Sequence, residues 1–392
     1  MFDDFDDDEL EETIQHSLLF VGAINVYNSI RTRHRLTRSA VVEPALSPWQ
    51  HLLQFGDDQS FTEMTGFDRI TFHMIANTLF PIQNRLIPKL GRPYILDHLG
   101  QLGLFLFYVG STMKIKHICM IFGIVPSSCS DIINRIMIKV IGELSTHFAS
   151  RIQFPNEEEK ERLAALVALR QPGITNVIGF MDGLGIHVEC ENNPDVQNAY
   201  YNGYASDTMC QNIFCFGATG KVILCATNYP GSWHDATVSA DIVDYIIRNI
   251  GTYAICVDQG FPRSGRCYDV LLGPISQRES LKLSPILSEA LLERASMIVS
   301  LRQASEWGMR GLQGTFPRLK SRLTSDKTKR GNIIMSIVLL NNFRTHFMGL
   351  NQITTVFSEF YEQYCNLNTY DRIGRYFYGD LFNEVNEIDD MF

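Results

Sequence analysis

No Cys-x-x-Cys pair occurs among the nine cysteines of this 392-residue chain. That absence, with an odd cysteine count, argues against a zinc ribbon or a disulfide framework and for reduced thiols in an intracellular compartment. Long apolar runs are also missing. The longest windows, 102–113 (LGLFLFYVGSTM) and 333–340 (IIMSIVLL), fall short of the roughly 20 residues that cross a bilayer, so no membrane role is expected. The opening MFDDFDDDELEE is acidic where a secretory signal would be basic and then apolar. Positive charge is scarce overall: 34 Lys and Arg against 43 Asp and Glu leave a net −9. A protein that grips duplex DNA alone usually carries a basic footprint, so this balance argues mildly against one.

What is present is an ordinary globular composition, 45% hydrophobic and 20% charged, at a length that predicts two units or one large unit with a helical appendage. Charge is unevenly spread. Eight of the first twelve residues are Asp or Glu, which reads as a solvated, disordered leader over 1–12. Two stretches are basic. Residues 31–38 (RTRHRLTR) carry four arginines, and 301–330 hold eight Lys or Arg against Glu306 and Asp326, a local +6.

Residues 13–150 read as helical. Within them KIKHICMIFGIVPSSCSDIINRIMIKVIGEL, at about 114–142, has the form helix, Gly123-centred turn, Pro126 start, helix. This helix-turn-helix outline would offer Asn134, Arg135 and Lys139 to a DNA groove, although two helices joined by a glycine turn are also a common packing unit. From about 174 the pattern becomes short β-branched and aromatic runs: NVIGFMDGLGIHVEC, QNIFCFGATG, KVILCATNYPG and TYAICVDQGF. The second and third predict a hairpin through Thr219–Gly220. A helix over WHDATVSADIVDYIIRNIG should then make the fourth strand parallel to a neighbour. Helices return from 281.

Two of these strands close alike. Asp182 precedes Gly183, and Asp258 precedes Gln259–Gly260. An acid at a strand end is usually a turn former. The sharper reading puts both at one sheet edge, where strand ends meet and hard carboxylate oxygens suit Mg²⁺ or Mn²⁺. Two such ions can cleave a phosphodiester, given a third carboxylate. Glu306, in RQASEWGMRGLQ, is the best candidate; it is expected at the start of a helical segment beside the basic stretch. The adjacent Arg310, Arg318, Lys320, Arg322, Lys327, Lys329 and Arg330 are then candidates to contact the phosphate backbone. His234–Asp235, in NYPGSWHDAT, reads either as a helix cap, with Ser232 or Asp235 capping, or as an auxiliary polar pair beside the acids. His187 reads as facing solvent or a hydrogen bond.

GFMDGLGIHVE, NAYYNGYASDTMCQNIFCFGATGKV, PGSWHDATV, VDQGFPRSG and RQASEWGMRGLQGTFPRLKSRL occur in this order. Together they resemble the Harbinger-type transposases and the nucleases derived from them, a branch of the DDE superfamily of endonucleases. The resemblance is strong over 174–357. It implies an RNase H-like mixed β-sheet flanked by helices, preceded by an all-helical N-terminal domain and followed by a tail over 358–392. By position the family's acidic triad falls on Asp182, Asp258 and Glu306, and its GSxHD element on Ser232, His234 and Asp235; Asp235 is the alternative second acid. Two departures stand out: DGLGIHV replaces the usual DGTHI, removing a hydroxyl beside the first aspartate, and the family's compact Glu–Arg–x–Phe–Gly element is stretched to EWGMRGLQGTFPRLK. The resemblance implies Mg²⁺ or Mn²⁺ as cofactor, DNA as substrate, the nucleus as the main place of work, and a separate Myb/SANT-like DNA-binding protein as partner, with self-association compatible. A division of labour with such a partner would reconcile a nuclease with a net acidic chain. The competing reading is a domesticated interaction module that keeps the fold without catalysis.

Overall fold

A computed structural model describes residues 7–31, 36–81, 95–262, 265–275, 282, 285–349 and 351–357. Among the described residues the N-terminal part is helical and has no strand: α1 (Asp7–Arg31), α2 (Pro48–Phe55), α3 (Asp58–Thr65), α4 (Arg69–Leu79), α5 (His98–Val109), α6 (Ile115–Phe122) and α7 (Pro126–Leu144). The starts are dictated locally. Ser47, Asp57, Asp68 and Asp97 each accept a hydrogen bond from the backbone N–H three residues on, satisfying a donor the helix cannot. α1 begins at Asp7, inside the acidic stretch. Residues 1–6 and the tail over 358–392 lie outside the described residues. Along α1 the side chains of Ile14, Leu18, Leu19, Phe20 and Val21 are exposed.

The helix-turn-helix outline is real as geometry. Gly123 takes a left-handed φ of 66° between α6 and α7, and the two helices meet at 95°. The side chains expected to read DNA are turned to other uses, however. Arg135 donates to Gln101 Oε1, and Lys139 lies over the Phe80 ring. α7 buries Ile132, Ile133, Ile136, Met137 and Val140 between α5 and the helix Lys327–Met348. It is a core helix, which accounts for its apolar periodicity.

After α8 (Glu157–Arg170) come β1 (Val177–His187), α9 (Pro194–Tyr200), β2 (Tyr201–Asn202), β3 (Asp207–Gly217) and β4 (Val222–Pro230). The chain continues through α10 (Asp235–Val238), α11 (Ala240–Asn249), β5 (Ala254–Cys256) and β6 (Leu271–Leu272). β3 pairs antiparallel with β1 and with β4, while β5 runs parallel to β1 and β6 parallel to β5. This mixed sheet with β1 at its centre is consistent with an RNase H-like fold, and the expected hairpin and parallel strand are both present. Two long helices follow, α12 (Pro285–Thr315) and α13 (Lys327–Met348).

α13 lies against β4 and α7. The helical part and the sheet therefore share one apolar core, from Trp49 through Phe180 to Phe343. Buried Asn342 fastens the layers together: it accepts from Val222 N and donates to the carbonyls of Val222 and Ser150. The apolar stretch running from Lys327 to Phe357 is long and apolar enough to cross a membrane by length and composition, more than the isolated windows suggest. Most of its apolar window is buried inside the fold, which is the setting of a core helix.

Candidate active site

Asp182 does not end its strand. β1 continues for five more residues to His187, paired with β3 from Asp182↔Phe214 through His187↔Met209. The glycine after Asp182 is therefore no turn. A Cβ placed on Gly183 would lie 2.5 Å from Asp235 Oδ1, so the strand is bare there because the Asp235 carboxylate packs on it.

β5 does stop, at Cys256, and its register against β1 sets the height of the second acid. Phe180 on β1 faces Cys256 on the parallel β5. Two residues further along each chain stand Asp182, still within β1, and Asp258, in the segment that leaves β5. Asp235 reaches the same place from the start of α10, where Gln211 Nε2 on β3 donates to its Oδ1 at 2.5 Å. Three carboxylates from distant parts of the chain thus face one another. Residues 181–342 match the family model of a DDE superfamily endonuclease. No curated protein and no solved structure matches the chain.

Within this matching segment the electrostatics are strained in one direction. Burial pushes the Asp182 carboxyl up to about 6, against the Gly183 N–H that stabilises its charge; Asp258 raises it further, Arg302 opposes, and Asp235 adds to the rise. Asp235 is raised as well, first by burial and then by Asp258, with Gln211 and His234 opposing. Acids crowded this way favour a bound cation or a proton. Backbone N–H groups orient them: Gly183 N donates to Asp182 Oδ1 at 2.8 Å and Gly260 N to Asp258 Oδ1 at 2.7 Å.

Glu306 does not start a helix. It lies two-thirds of the way along the 31-residue α12, because no residue between Pro285 and Glu306 interrupts the helix. Its Oε1 accepts from Arg302 Nη2 at 2.7 Å, and Arg302 Nη1 reaches Asp182 Oδ2 at 3.4 Å. Ser305 Oγ lies 3.4 Å from the same Asp182 oxygen. A hydroxyl absent from β1 in DGLGIHV is thus offered from α12. Sequence reading did not single out Arg302, Ser305 or Gln211. The one signal for Arg302 was its place a helical turn before Glu306.

Hard oxygens, a shared location and a deficit of positive charge fit a divalent cation in kind and sign. Among the described residues, however, no three His, Cys, Asp or Glu side chains converge closely enough to hold one as they stand. Asp182, Asp258 and Asp235 are gathered; Glu306 is joined to them only through Arg302.

His234 occupies the N-cap position of α10 without a side-chain capping bond. Asp235 is committed to Gln211, so neither residue performs the capping role. His187 Nδ1 meets Asp207 Oδ2 at 2.9 Å, a hydrogen bond as expected. The basic stretch divides. Arg310, Lys320 and Lys327 are exposed; Lys329 is partly exposed. Arg322 is exposed but holds Asp207 and the Val188 carbonyl. Arg318 and Arg330 are corrections. Arg318 is buried, donating to the carbonyls of Tyr108 and Met113 with its guanidinium over the Tyr108 ring. Arg330 is 1% exposed, bonded to Asn228 Oδ1 and the Thr324 and Ser325 carbonyls. Both arginines hold the fold together, and neither can lie along a DNA backbone.

Proposed function

We propose that this chain is a metal-dependent DNA endonuclease of the Harbinger transposase kind. Its triad is Asp182, Asp258 and Glu306, with Asp235 and His234 beside it. The observation that supports this reading is the parallel β1–β5 pairing, with Asp182 on β1 and Asp258 just past the end of β5 close enough to raise the Asp182 carboxyl, inside a segment matching an endonuclease family. A Mg²⁺ or Mn²⁺ ion held by these carboxylates would supply Lewis-acid polarisation of the phosphodiester and an activated water. The chain's own residues do the orienting. Gly183 N–H and Gly260 N–H orient Asp182 and Asp258, Gln211 aims Asp235, and α12 delivers Glu306 next to the exposed cation Arg310. A net charge of −9 supports a separate Myb/SANT-like protein as the source of DNA affinity, and a DNA substrate supports work in the nucleus.

The test is cleavage of candidate terminal-repeat DNA with Mg²⁺ or Mn²⁺, with and without a Myb-like partner. Asp182→Asn and Asp258→Asn should each reduce cleavage by about 10³-fold or more, with circular dichroism unchanged. Asp235→Asn should cost about 10- to 100-fold, as for a group that orients a ligand. Cleavage by both triad variants at the wild-type rate would exclude the assignment. Stable partner binding with no cleavage of any DNA would point to the non-catalytic interaction module instead.

A further inference from the structure

Arg302 stands where the acid set is divided. It is one turn before Glu306 on α12, and its planar fork spans two elements: Nη2 takes Glu306 at 2.7 Å, and Nη1 takes Asp182 at 3.4 Å. The side chain is 24% exposed and that of Asp182 is 18% exposed, so solvent only partly screens the contact. Asp235 is turned to Gln211 and Asp258 to Gly260 N–H; in these contacts neither is bonded to a guanidinium. The cation thus touches the first acid and the helical acid, and it stands between Glu306 and the three gathered aspartates.

We propose that Arg302 is a resident counter-ion that holds Asp182 and Glu306 until a divalent cation displaces it. This rests on the metal-site reading above. Arginine suits the role better than lysine because its fork satisfies two carboxylates at once and its charge is permanent. Arg302 is accordingly a positioning residue. It keeps Glu306 pointed at the sheet while no metal is bound, and it competes with the metal for the same oxygens. The competition lowers the apparent affinity of the site for metal by a constant factor.

The experiment titrates Mn²⁺ alone into the full-length protein by calorimetry and records the Mn²⁺-induced shift in Tm. Arg302→Gln should bind Mn²⁺ at least about fivefold tighter than wild type, because the competing charge at contact distance is gone. Its metal-free Tm should fall, and the Tm gain on adding Mn²⁺ should exceed that of wild type. Arg302→Lys keeps the charge but can satisfy only one acid at a time, so its Mn²⁺ affinity should lie between the two; it also serves if the glutamine variant does not fold. A simple strut between α12 and β1 would lower Tm without tightening Mn²⁺ binding, and that result overturns the proposal, as does weaker binding in either variant. Asp182→Asn separates this from the parent reading: if it binds Mn²⁺ as wild type does, the metal site itself is misplaced and the proposal falls with it.

Discussion

Gly183 is the residue whose setting in the fold departs furthest from its setting in the sequence. A small residue after an acid suggests a turn, yet here the strand runs on and the glycine makes room for another carboxylate. Gly183→Ala puts a methyl 2.5 Å from Asp235 Oδ1, and Asp235 is a side chain that can be pushed aside. The backbone of β1 has no need of glycine's conformational freedom at this position, and alanine in a strand interior gains roughly 0.5–1 kcal/mol over glycine. Gly183→Ala should therefore keep Tm level or raise it slightly while lowering DNA cleavage by tenfold or more. Unchanged cleavage would show that Asp235 is not needed in its present place.

At the scale of elements, the α13–hairpin junction carries a pH signature remote from the acids. Lys221, in the β3–β4 turn, sits with its Nζ 3.0 Å from His346 Nδ1 on α13. Burial pulls His346 down to about 4, helped by the charges of Lys221 and His147. Burial also lowers Lys221 to about 8, with Glu159 opposing and Arg162 and Arg151 assisting. The unfolded chain protonates its histidine near 6.5, whereas the folded chain resists to about 4. Between those values the unfolded state binds more protons, so stability falls as pH drops through that window and is fully present above it. The loss is on the order of 3 kcal/mol. Urea unfolding at pH 7 and pH 4.5 should show it in wild type, and His346→Gln should remove most of it.

For the whole molecule the question is how an acidic chain meets DNA. The exposed cations Arg310, Lys320 and Lys327 are the available phosphate contacts of the basic stretch, and each should act through counter-ion release. Replacing one of them by alanine should weaken DNA binding for all sequences alike and reduce the slope of log K against log salt by about one. Arg330→Ala should behave differently. It strips a buried guanidinium from Asn228 and two carbonyls, so unfolding free energy should drop by about 3 kcal/mol, read by denaturant titration. A DNA-binding loss in that variant without a stability loss would mean that the arginine faces the nucleic acid after all.

Much of this was legible from residues alone. Period-two runs, a Thr219–Gly220 turn and an intervening helix predict the mixed sheet, because strand pattern and crossover length constrain topology locally. Asp182 and Asp258 were also visible, as acids within apolar runs. Burial of the basic stretch was not, because the sequence of an arginine that binds carbonyls is the same as that of one that binds phosphate. Nor did composition reveal that α7 is enclosed on two sides, that Glu306 lies deep inside α12, or that Arg302 spans the two acids. Sequence pattern sets which elements form and which residues are chemically able to act. Only the register of β1 on β5, and the seating of α10 and α12 against the sheet, decide which of those residues meet, since contacts between residues far apart in the chain depend on packing that no local pattern encodes.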